Sequence, residues 1–163
     1  VIGVGGLGHM ALQFCRAWGC EVTALTTNPA KAEEAKQLGA HRVVPLSELA
    51  SEAGRFDLII NTANQPLDWG AVIAALAPLG RLHQLGAVLE PMTVNAFDLI
   101  VSRRAITGSP TSSPASLLKM VEFCARHGIK PMVEHLPMAQ INEAIERLHR
   151  GDVRYRFVLD GPA

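Results

Sequence analysis

The pattern with the clearest chemical meaning is a glycine-rich run close to the first residue. The run Gly3-Val4-Gly5-Gly6-Leu7-Gly8 has the spacing GxGxxG and stands between an apolar stretch and an amphipathic stretch. In this setting the first glycine permits a tight turn, the second lets the backbone approach a diphosphate, and the third allows a helix to pack closely on a strand. The helix that follows offers free N–H groups and its positive dipole end to the phosphates. We therefore predict a dinucleotide site formed by Gly3, Gly5, Gly6, Leu7 and Gly8.

The end of the second apolar run is polar but carries no acidic residue. It reads Leu25-Thr26-Thr27-Asn28, whereas sites for NAD place Asp or Glu there to bind the adenosine ribose. A carboxylate would repel a 2′-phosphate, but hydroxyls, an amide and a cation can hold one. Thr26, Thr27, Asn28 and Lys31 supply these groups, so the sequence favours NADP, with NAD still possible. The alternative is that Asn28 only caps the next helix and Lys31 is a solvated charge, and both interpretations can hold together.

Short apolar runs alternate with amphipathic helices along the chain, which is typical of βαβ units and a mostly parallel sheet. Several runs are apolar on both faces, as expected for strands that helices cover on each side. The predicted strands cover residues 1–4, 21–26, 42–44, 56–61, 80–84 and 105–108. We predict the α/β class, with a Rossmann-type doubly wound parallel sheet.

Helix signals separate these strands. Apolar residues at a period of 3.6 mark the first helix from Leu7 to Trp18. The second helix begins at the cap Asn28-Pro29 and ends at Gly39. A later helix begins near Pro66 and includes Leu76, and another covers residues 114–127 and ends at Gly128.

After Gly128 the pattern changes. Residues 130–135 predict a strand, Met138 to Leu148 predict a helix with one apolar face, and residues 154–159 predict a last strand. We expect residues 1–128 to form one nucleotide-binding domain whose first strand is truncated. Residues 129–163 would form a C-terminal strand-helix-strand tail.

Composition excludes several classes of partner. The 15 basic and 15 acidic residues give no net charge, so nothing indicates a nucleic-acid partner. No apolar run approaches the ~20 residues of a membrane helix, and no signal peptide is visible. Cys15, Cys20 and Cys124 form no metal or disulfide framework, and we expect three buried thiols in a reducing cytoplasm.

No catalytic or metal-ligating constellation can be identified. The six histidines are scattered over different elements, and none pairs with another or with a cysteine at metal-ligand spacing. His9 alone lies near the predicted cofactor site, where packing or orientation is the expected role. We therefore predict no catalytic residue and no metal ligand in this chain.

Several motifs together resemble the zinc-containing medium-chain alcohol dehydrogenases. The run Gly5-Gly6-Leu7-Gly8-His9-Met10-Ala11 resembles their cofactor loop, and Thr26-Thr27-Asn28-Pro29-Ala30-Lys31 resembles the NADP-preferring cinnamyl alcohol dehydrogenase branch. Residues 124–129, 140–144 and 151–158 also resemble that branch. The motifs stand in the family's order and span the whole chain, and they are specific only in combination.

The resemblance implies further cofactor contacts. Thr62 and the run Leu85-Gly86-Ala87 would line the cofactor, Gly108 and Ser109 would approach the nicotinamide, and Arg156 would lie near the phosphates. The alternative is that the glycines only form loops and Arg156 is an exposed strand charge. The segment 108–114 departs from the family because it carries two prolines, which loosens the assignment of Gly108 and Ser109.

In that family a separate N-terminal domain holds a catalytic zinc through Cys, His and Glu and a structural zinc through four Cys, and nothing in this sequence resembles those segments. Because the chain opens inside an apolar run without a methionine, we expect the cofactor half of a larger zinc-dependent enzyme, inactive alone. The parent would transfer hydride between NADP(H) and a small-molecule aldehyde or primary alcohol. Alternatives are a zinc-independent quinone or enoyl reductase and a standalone dinucleotide-sensing module.

The predicted strand at 105–108 would lie at the edge of the sheet, and an uncovered edge invites pairing with a second chain. We therefore predict a homodimer through this edge.

Overall fold

The computed structural model describes residues 1–161. Five parallel strands form its main sheet, and Ile2 joins the two halves of that sheet. Ile2 bridges Leu25 on one side and Asn61 on the other. The strands are β1 (Thr23–Thr26), β2 (Arg42–Pro45), β3 (Phe56–Asn61), β4 (Leu76–Gln84) and β5 (Ala105–Gly108). Their order is β2-β1-Ile2-β3-β4-β5, which is the strand order of a Rossmann fold. The predicted fold is confirmed.

Six α-helices accompany these strands in the described part of the chain: α1 (Gly8–Ala17), α2 (Ala32–Gln37), α3 (Trp69–Ala74), α4 (Ala96–Ile100), α5 (Pro114–His127) and α6 (Ile141–His149). Local signals set several of their ends. The side chain of Ser113 accepts from the Ser116 amide at the start of α5, and Gly128 ends that helix with φ 66°. A proline at the start and a left-handed glycine at the end are favoured at these helix positions, so α5 agrees with its prediction.

The C-terminal tail forms its own two-stranded parallel sheet. Strand β6 (Val133–Pro137) pairs with β7 (Arg156–Asp160), and α6 lies between them in the chain. The strand-helix-strand order is the predicted one. Ile129 and Tyr155 are buried, which anchors the tail on the main body of the chain.

The apolar core lies on both sides of the main sheet. One cluster contains Ile2, Leu25, Ile59, Ile73 and Leu82, all almost fully buried. The other contains Leu12 of α1 and Ala24 of β1, with Tyr155 of the tail packed among them. Helices thus cover both faces of the sheet, as the doubly apolar strands predict.

Several sequence-based boundaries were wrong for local reasons. Only Ile2 pairs in the predicted strand 1–4, because Gly3 has φ 84° and turns the chain out of the sheet. Leu76 belongs to β4 and not to the preceding helix. The second helix opens with a 3₁₀ turn over Pro29–Lys31 before α2 begins. The short helix α4 had no predicted counterpart.

The prediction of three buried thiols was also wrong. Cys20 is exposed, and Cys15 and Cys124 are only partly buried. Cys20 follows Gly19, whose φ of 82° turns the chain between α1 and β1, and a residue in such a surface turn is exposed. All three thiols are free.

Within residues 1–161, no helix combines the length and the apolar character that crossing a bilayer requires. Strand β5 pairs only with β4 among the described strands, so its other side is an open sheet edge. The homodimer through this edge stays a prediction.

Candidate functional site

The glycine-rich run forms a tight turn between Ile2 and α1. Gly3 has φ 84°, a conformation that glycine adopts without strain. A Cβ on Gly8 would lie 1.9 Å from the carbonyl oxygen of Gly3, so only a glycine fits there. A Cβ on Gly5 would meet no atom within 4 Å. Gly3 and Gly8 therefore shape the turn, whereas Gly5 leaves open space above it.

An open cleft of about 710 Å³ lies over this turn, within the range of ligand pockets. The predicted residues that line it are Gly5, Gly6, Leu7, Thr62, Gly86, Ala87 and Arg156. The opposite wall is apolar and comes from the tail, through Ile141, Ile145 and Leu148 of α6 and Phe157 of β7. The cleft thus has a floor of polar backbone groups and an opposite wall of apolar side chains.

The turn after β3 lies directly against the glycine-rich run. The hydroxyl of Thr62 lies 3.0 Å from the carbonyl oxygens of Ile2 and Gly3 and donates to them. A Cβ on Gly86 would lie 1.8 Å from the carbonyl oxygen of Ala63, so the turn after β4 must carry glycine to pack there. Both residues hold the wall of the cleft in place.

A buried amide pair supports the same two turns. The side chain of Asn61 is fully buried and donates to Oε1 of Gln84 at 2.9 Å, while its own oxygen accepts from the Ala63 amide. Gln84 in turn donates to the carbonyl oxygen of Gly86. Buried polar groups are stable only when paired in this way, and this pair fixes the carboxyl ends of β3 and β4.

The residues predicted to hold a 2′-phosphate are grouped at the end of β1, outside the lining of the cleft. Asn28 caps the following 3₁₀ turn by accepting from the Ala30 amide, and the Asn28 amide donates to the Thr26 hydroxyl. Thr27 is exposed. Lys31 is not simply solvated, since its ammonium donates to the carbonyl oxygen of Val4 at 3.1 Å and lies 5.1 Å from the centre of the Tyr155 ring.

Gly108 and Ser109 lie at the carboxyl end of β5 and also outside the lining of the cleft. Gly108 pairs with Gln84 of β4. The Ser109 hydroxyl contacts Nε2 of His83 at 3.0 Å, and Nδ1 of the same ring contacts the Thr107 hydroxyl at 2.9 Å. Their predicted approach to a nicotinamide ring stays a prediction.

Arg156 reaches the glycine-rich run from the tail. Its Nε and Nη2 atoms donate to the carbonyl oxygen of Gly6 at 3.2 and 3.0 Å. The residue is exposed at the edge of the cleft, so its positive charge stands beside the bare turn. This contact spans 150 residues along the chain.

Sequence reasoning missed the role of Tyr155 and Glu34. The Tyr155 hydroxyl donates to one carboxylate oxygen of Glu34 at 2.6 Å, and Arg154 donates to the other at 2.5 Å. Burial opposes the charge of Glu34, but these two hydrogen bonds outweigh it and hold the pKa of the carboxyl below its ordinary value. Burial and the nearby carboxylate raise the pKa of Tyr155. The pair ties the tail to α2, and no local pattern in the sequence indicates it.

His9 occupies the first turn of α1 and is fully buried. Its Nδ1 contacts the carbonyl oxygen of Gly5 at 3.0 Å, and its Nε2 accepts from the Met132 amide at 3.1 Å. The ring stacks on Tyr155 with 4.7 Å between centroids and 8° between planes. Packing and orientation, the role expected from sequence, agree with this geometry.

The titration of His9 predicts a loss of stability in acid. Desolvation lowers the pKa of His9 below its ordinary value of 6.5, so the unfolded chain binds a proton more readily than the folded one. This contribution is fully present above pH 6.5 and is lost as the pH falls through the lowered folded pKa. We expect the free energy of unfolding, measured by urea titration at pH 7.5 and 5.5, to fall more in the wild type than in His9→Phe. An equal fall in both proteins would contradict it.

No group of three or more His, Cys, Asp or Glu side chains that could hold a metal ion occurs within residues 1–161. The family resemblance places its zinc ligands in a separate domain, and the residues described here offer no ligand set for either zinc. The polar floor of the cleft, by contrast, fits an anionic ligand, because it joins a helix N-terminus to the guanidinium of Arg156.

Comparison with known proteins agrees with this geometry. A family model described as zinc-binding dehydrogenase matches residues 6–126. The chain is 49% identical over 162 residues to the aldehyde reductase AdhA of Synechocystis, covering 98% of the chain and 48% of the relative. It is 42% identical to NADP-dependent alcohol dehydrogenase C 1 of Mycolicibacterium smegmatis, with coverage of 98% and 47%.

Among solved structures, the cinnamyl alcohol dehydrogenase SbCAD4 of Sorghum bicolor superposes with a TM-score of 0.91 at 35% identity, covering 98% of the chain and 46% of that structure. The chain thus spans about half the length of the curated relatives it matches. The resemblance inferred from its motifs is confirmed. With a family model covering most of its length and relatives that share its fold, this chain belongs to the zinc-binding dehydrogenase family.

Proposed function

We propose that this chain binds NADP(H) in the cleft over the glycine-rich run and serves as the cofactor-binding part of an NADP-dependent alcohol dehydrogenase or aldehyde reductase. The proposal rests on the backbone N–H groups of that run. Within residues 1–161, the amides of Gly5, Gly6 and Leu7 have no hydrogen-bond acceptor. Unpaired amides beside a helix N-terminus attract a diphosphate.

The surroundings of these amides favour a diphosphate over a smaller or neutral ligand. Gly5 leaves the space that the phosphates need, and Arg156 adds a positive charge at the same turn. A guanidinium pairs well with phosphate oxygens because its donors form a fixed fork. The apolar wall of α6 then offers a surface for the less polar parts of the ligand.

The end of β1 supports NADP over NAD. It presents Thr27 and Asn28 to solvent with no acidic side chain among them, and Lys31 supplies a cation close to Val4 of the turn. A carboxylate at this place would repel a 2′-phosphate. One of the relatives reported above is named as NADP-dependent, which agrees with this preference.

When bound, NADPH supplies a hydride, and the names of the relatives indicate an aldehyde as its acceptor and a primary alcohol as the product. The residues of this chain bind and orient the dinucleotide. The glycine-rich run holds the diphosphate, the turns after β3 and β4 limit the cleft, and the tail closes it with an apolar wall. These names favour aldehyde reduction over the quinone or enoyl reduction that remains the alternative.

Calorimetric titration with NADPH and NADH, combined with thermal unfolding, tests this proposal. A ligand that binds only the folded state raises stability by about 2.7 kcal/mol at 100 times its dissociation constant. We expect NADPH to bind more tightly than NADH and to raise the melting temperature. The protein expressed from its full gene should then oxidise NADPH in the presence of an aldehyde.

A variant for the same experiment is Arg156→Gln, which keeps two methylene groups of the stem and removes the charge beside Gly6. This variant should bind both dinucleotides more weakly, by about 10- to 100-fold, since a hydrogen bond to a charged group contributes about 1.5–3 kcal/mol. If neither dinucleotide binds the wild type or protects it at millimolar concentration, the proposed function is wrong.

A further inference from the structure

Three consecutive carbonyl oxygens of the glycine-rich run are each held by a different side chain. Lys31 donates to the Val4 oxygen at 3.1 Å, and Nδ1 of His9 contacts the Gly5 oxygen at 3.0 Å. The Gly5 oxygen also accepts from the backbone amide of His9 at 3.0 Å, so the imidazole adds a second contact to it. Arg156 donates to the Gly6 oxygen through two nitrogens. The three side chains come from the 3₁₀ turn before α2, from α1 and from the tail, so three elements converge on one turn.

These contacts fix where the neighbouring amides point. In a trans peptide the carbonyl of one residue and the N–H of the next lie in one plane and point in opposite directions. Holding the oxygens of residues 4, 5 and 6 therefore directs the amides of Gly5, Gly6 and Leu7 away from those three side chains. These are the amides that have no acceptor in the described part of the chain and that belong to residues lining the cleft.

His9 differs from the other two side chains because it is fully buried. Lys31 and Arg156 carry positive charges, which attract a phosphate whatever backbone atoms they hold. His9 acts on a ligand only through the backbone it holds, since its nitrogens are occupied by the Gly5 oxygen and the Met132 amide.

The two partners of His9 also determine its protonation. The Met132 amide can only donate, so Nε2 must accept and carries no proton. The Gly5 oxygen can only accept, so Nδ1 must carry the proton. The ring is therefore neutral, in the Nδ1–H form, and connects the turn to the tail segment that holds Met132 and Tyr155.

We propose that His9 is a positioning residue for the diphosphate: its Nδ1, together with its own backbone amide, holds the Gly5 oxygen and so directs the Gly6 amide toward the cleft. The assignment rests on the proposed function, because it concerns the binding of a dinucleotide diphosphate.

Three substitutions at His9 separate its two contacts. The amide nitrogen of Asn stands where Nδ1 stands, so His9→Asn can still donate to the Gly5 oxygen but not accept from Met132. The amide of Gln reaches the place of Nε2, so His9→Gln can accept from Met132 but not hold the Gly5 oxygen. His9→Phe keeps a ring to stack on Tyr155 and loses both hydrogen bonds.

The experiment measures binding of NADPH and of adenosine 2′-phosphate, which has no diphosphate, to the four proteins expressed from the full gene. We expect His9→Gln and His9→Phe to bind NADPH about tenfold more weakly, as one lost hydrogen bond allows. His9→Asn should stay within about threefold of the wild type. Adenosine 2′-phosphate should bind all four proteins equally, which a merely structural role of His9 would not produce.

Equal losses in His9→Asn and His9→Gln, or equal losses for both ligands, would overturn the assignment. So would a wild-type spectrum of ¹⁵N-labelled histidine, assigned with His9→Asn, that shows the Nε2–H form or a charged ring at pH 7.5. The failure of the proposed function is a different result, namely a wild type that binds no NADPH at all. The tautomer measurement needs no ligand and holds in either case.

Discussion

Replacing Gly8 by alanine should cost the protein about 3 kcal/mol of stability, whereas replacing Gly5 by alanine should cost it none. A Cβ on Gly8 would lie 1.9 Å from the Gly3 oxygen, and a backbone atom cannot move aside as a flexible side chain can. A Cβ on Gly5 meets nothing, and its φ lies outside the positive range. Alanine at position 5 should even stabilise the protein by about 0.4–1 kcal/mol through the unfolded chain.

The effect of Gly5→Ala on binding should be large although its effect on stability is small. Gly5→Ala fills the space that the diphosphate needs, so NADPH should bind about 100-fold more weakly to a protein that melts no earlier than the wild type. Urea unfolding and calorimetric titration on both variants check these expectations. Tight binding of NADPH by Gly5→Ala would place the diphosphate elsewhere, and a stable Gly8→Ala would show that the turn is not packed as described.

Replacing Lys31 by glutamate should weaken NADPH binding by about 100-fold and NADH binding much less. The ammonium of Lys31 donates to the Val4 oxygen at 3.1 Å and lies 5.1 Å from the centre of the Tyr155 ring. A carboxylate there would face the 2′-phosphate of NADPH, which it repels, while the free ribose hydroxyl of NADH can donate to it. Parallel titrations of the two dinucleotides, reported as the ratio of their dissociation constants, measure the effect.

Lys31→Met is the matched control, since it loses the contact with Val4 as Lys31→Glu does but adds no negative charge. It should also lower the ratio of NADPH to NADH affinity, but by less than Lys31→Glu does, because it removes the cation without adding a repelling charge. If Lys31→Glu leaves the ratio of NADPH to NADH affinity unchanged, Lys31 does not read the 2′-phosphate. The preference would then depend on the other polar groups at the end of β1, Thr26, Thr27 and Asn28.

Local sequence patterns were enough to predict much of the fold. The strand over residues 56–61 and the helix over residues 114–127 have the predicted bounds, because β-branched runs, caps and left-handed glycines act on neighbouring residues. The wrong element boundaries lie where adjacent residues in the sequence do not determine the local structure. Leu76 continues the apolar stripe of α3 but pairs with Phe56 of β3, and this pairing depends on a strand about 20 residues away.

Part of the candidate site was visible in the sequence for the same reason. The glycine spacing predicted the turn, and the structure shows why Gly3 and Gly8 must be glycine. The family resemblance added Thr62 and Gly86, and both line the cleft. The residues at the end of β1 were identified by type, but their arrangement around a ligand stays a prediction.

The sequence by itself determined the order of the elements, the glycine turn and the absence of an acidic residue at the end of β1, since each of these is written in adjacent residues. Only the tertiary structure decided which side chains hold that turn. His9 meets Met132 across 123 residues, Tyr155 meets Glu34 across 121 and Arg156 meets Gly6 across 150. Such contacts depend on how the tail docks against α1 and α2, and no periodicity within a single element encodes the position of an element so far along the chain.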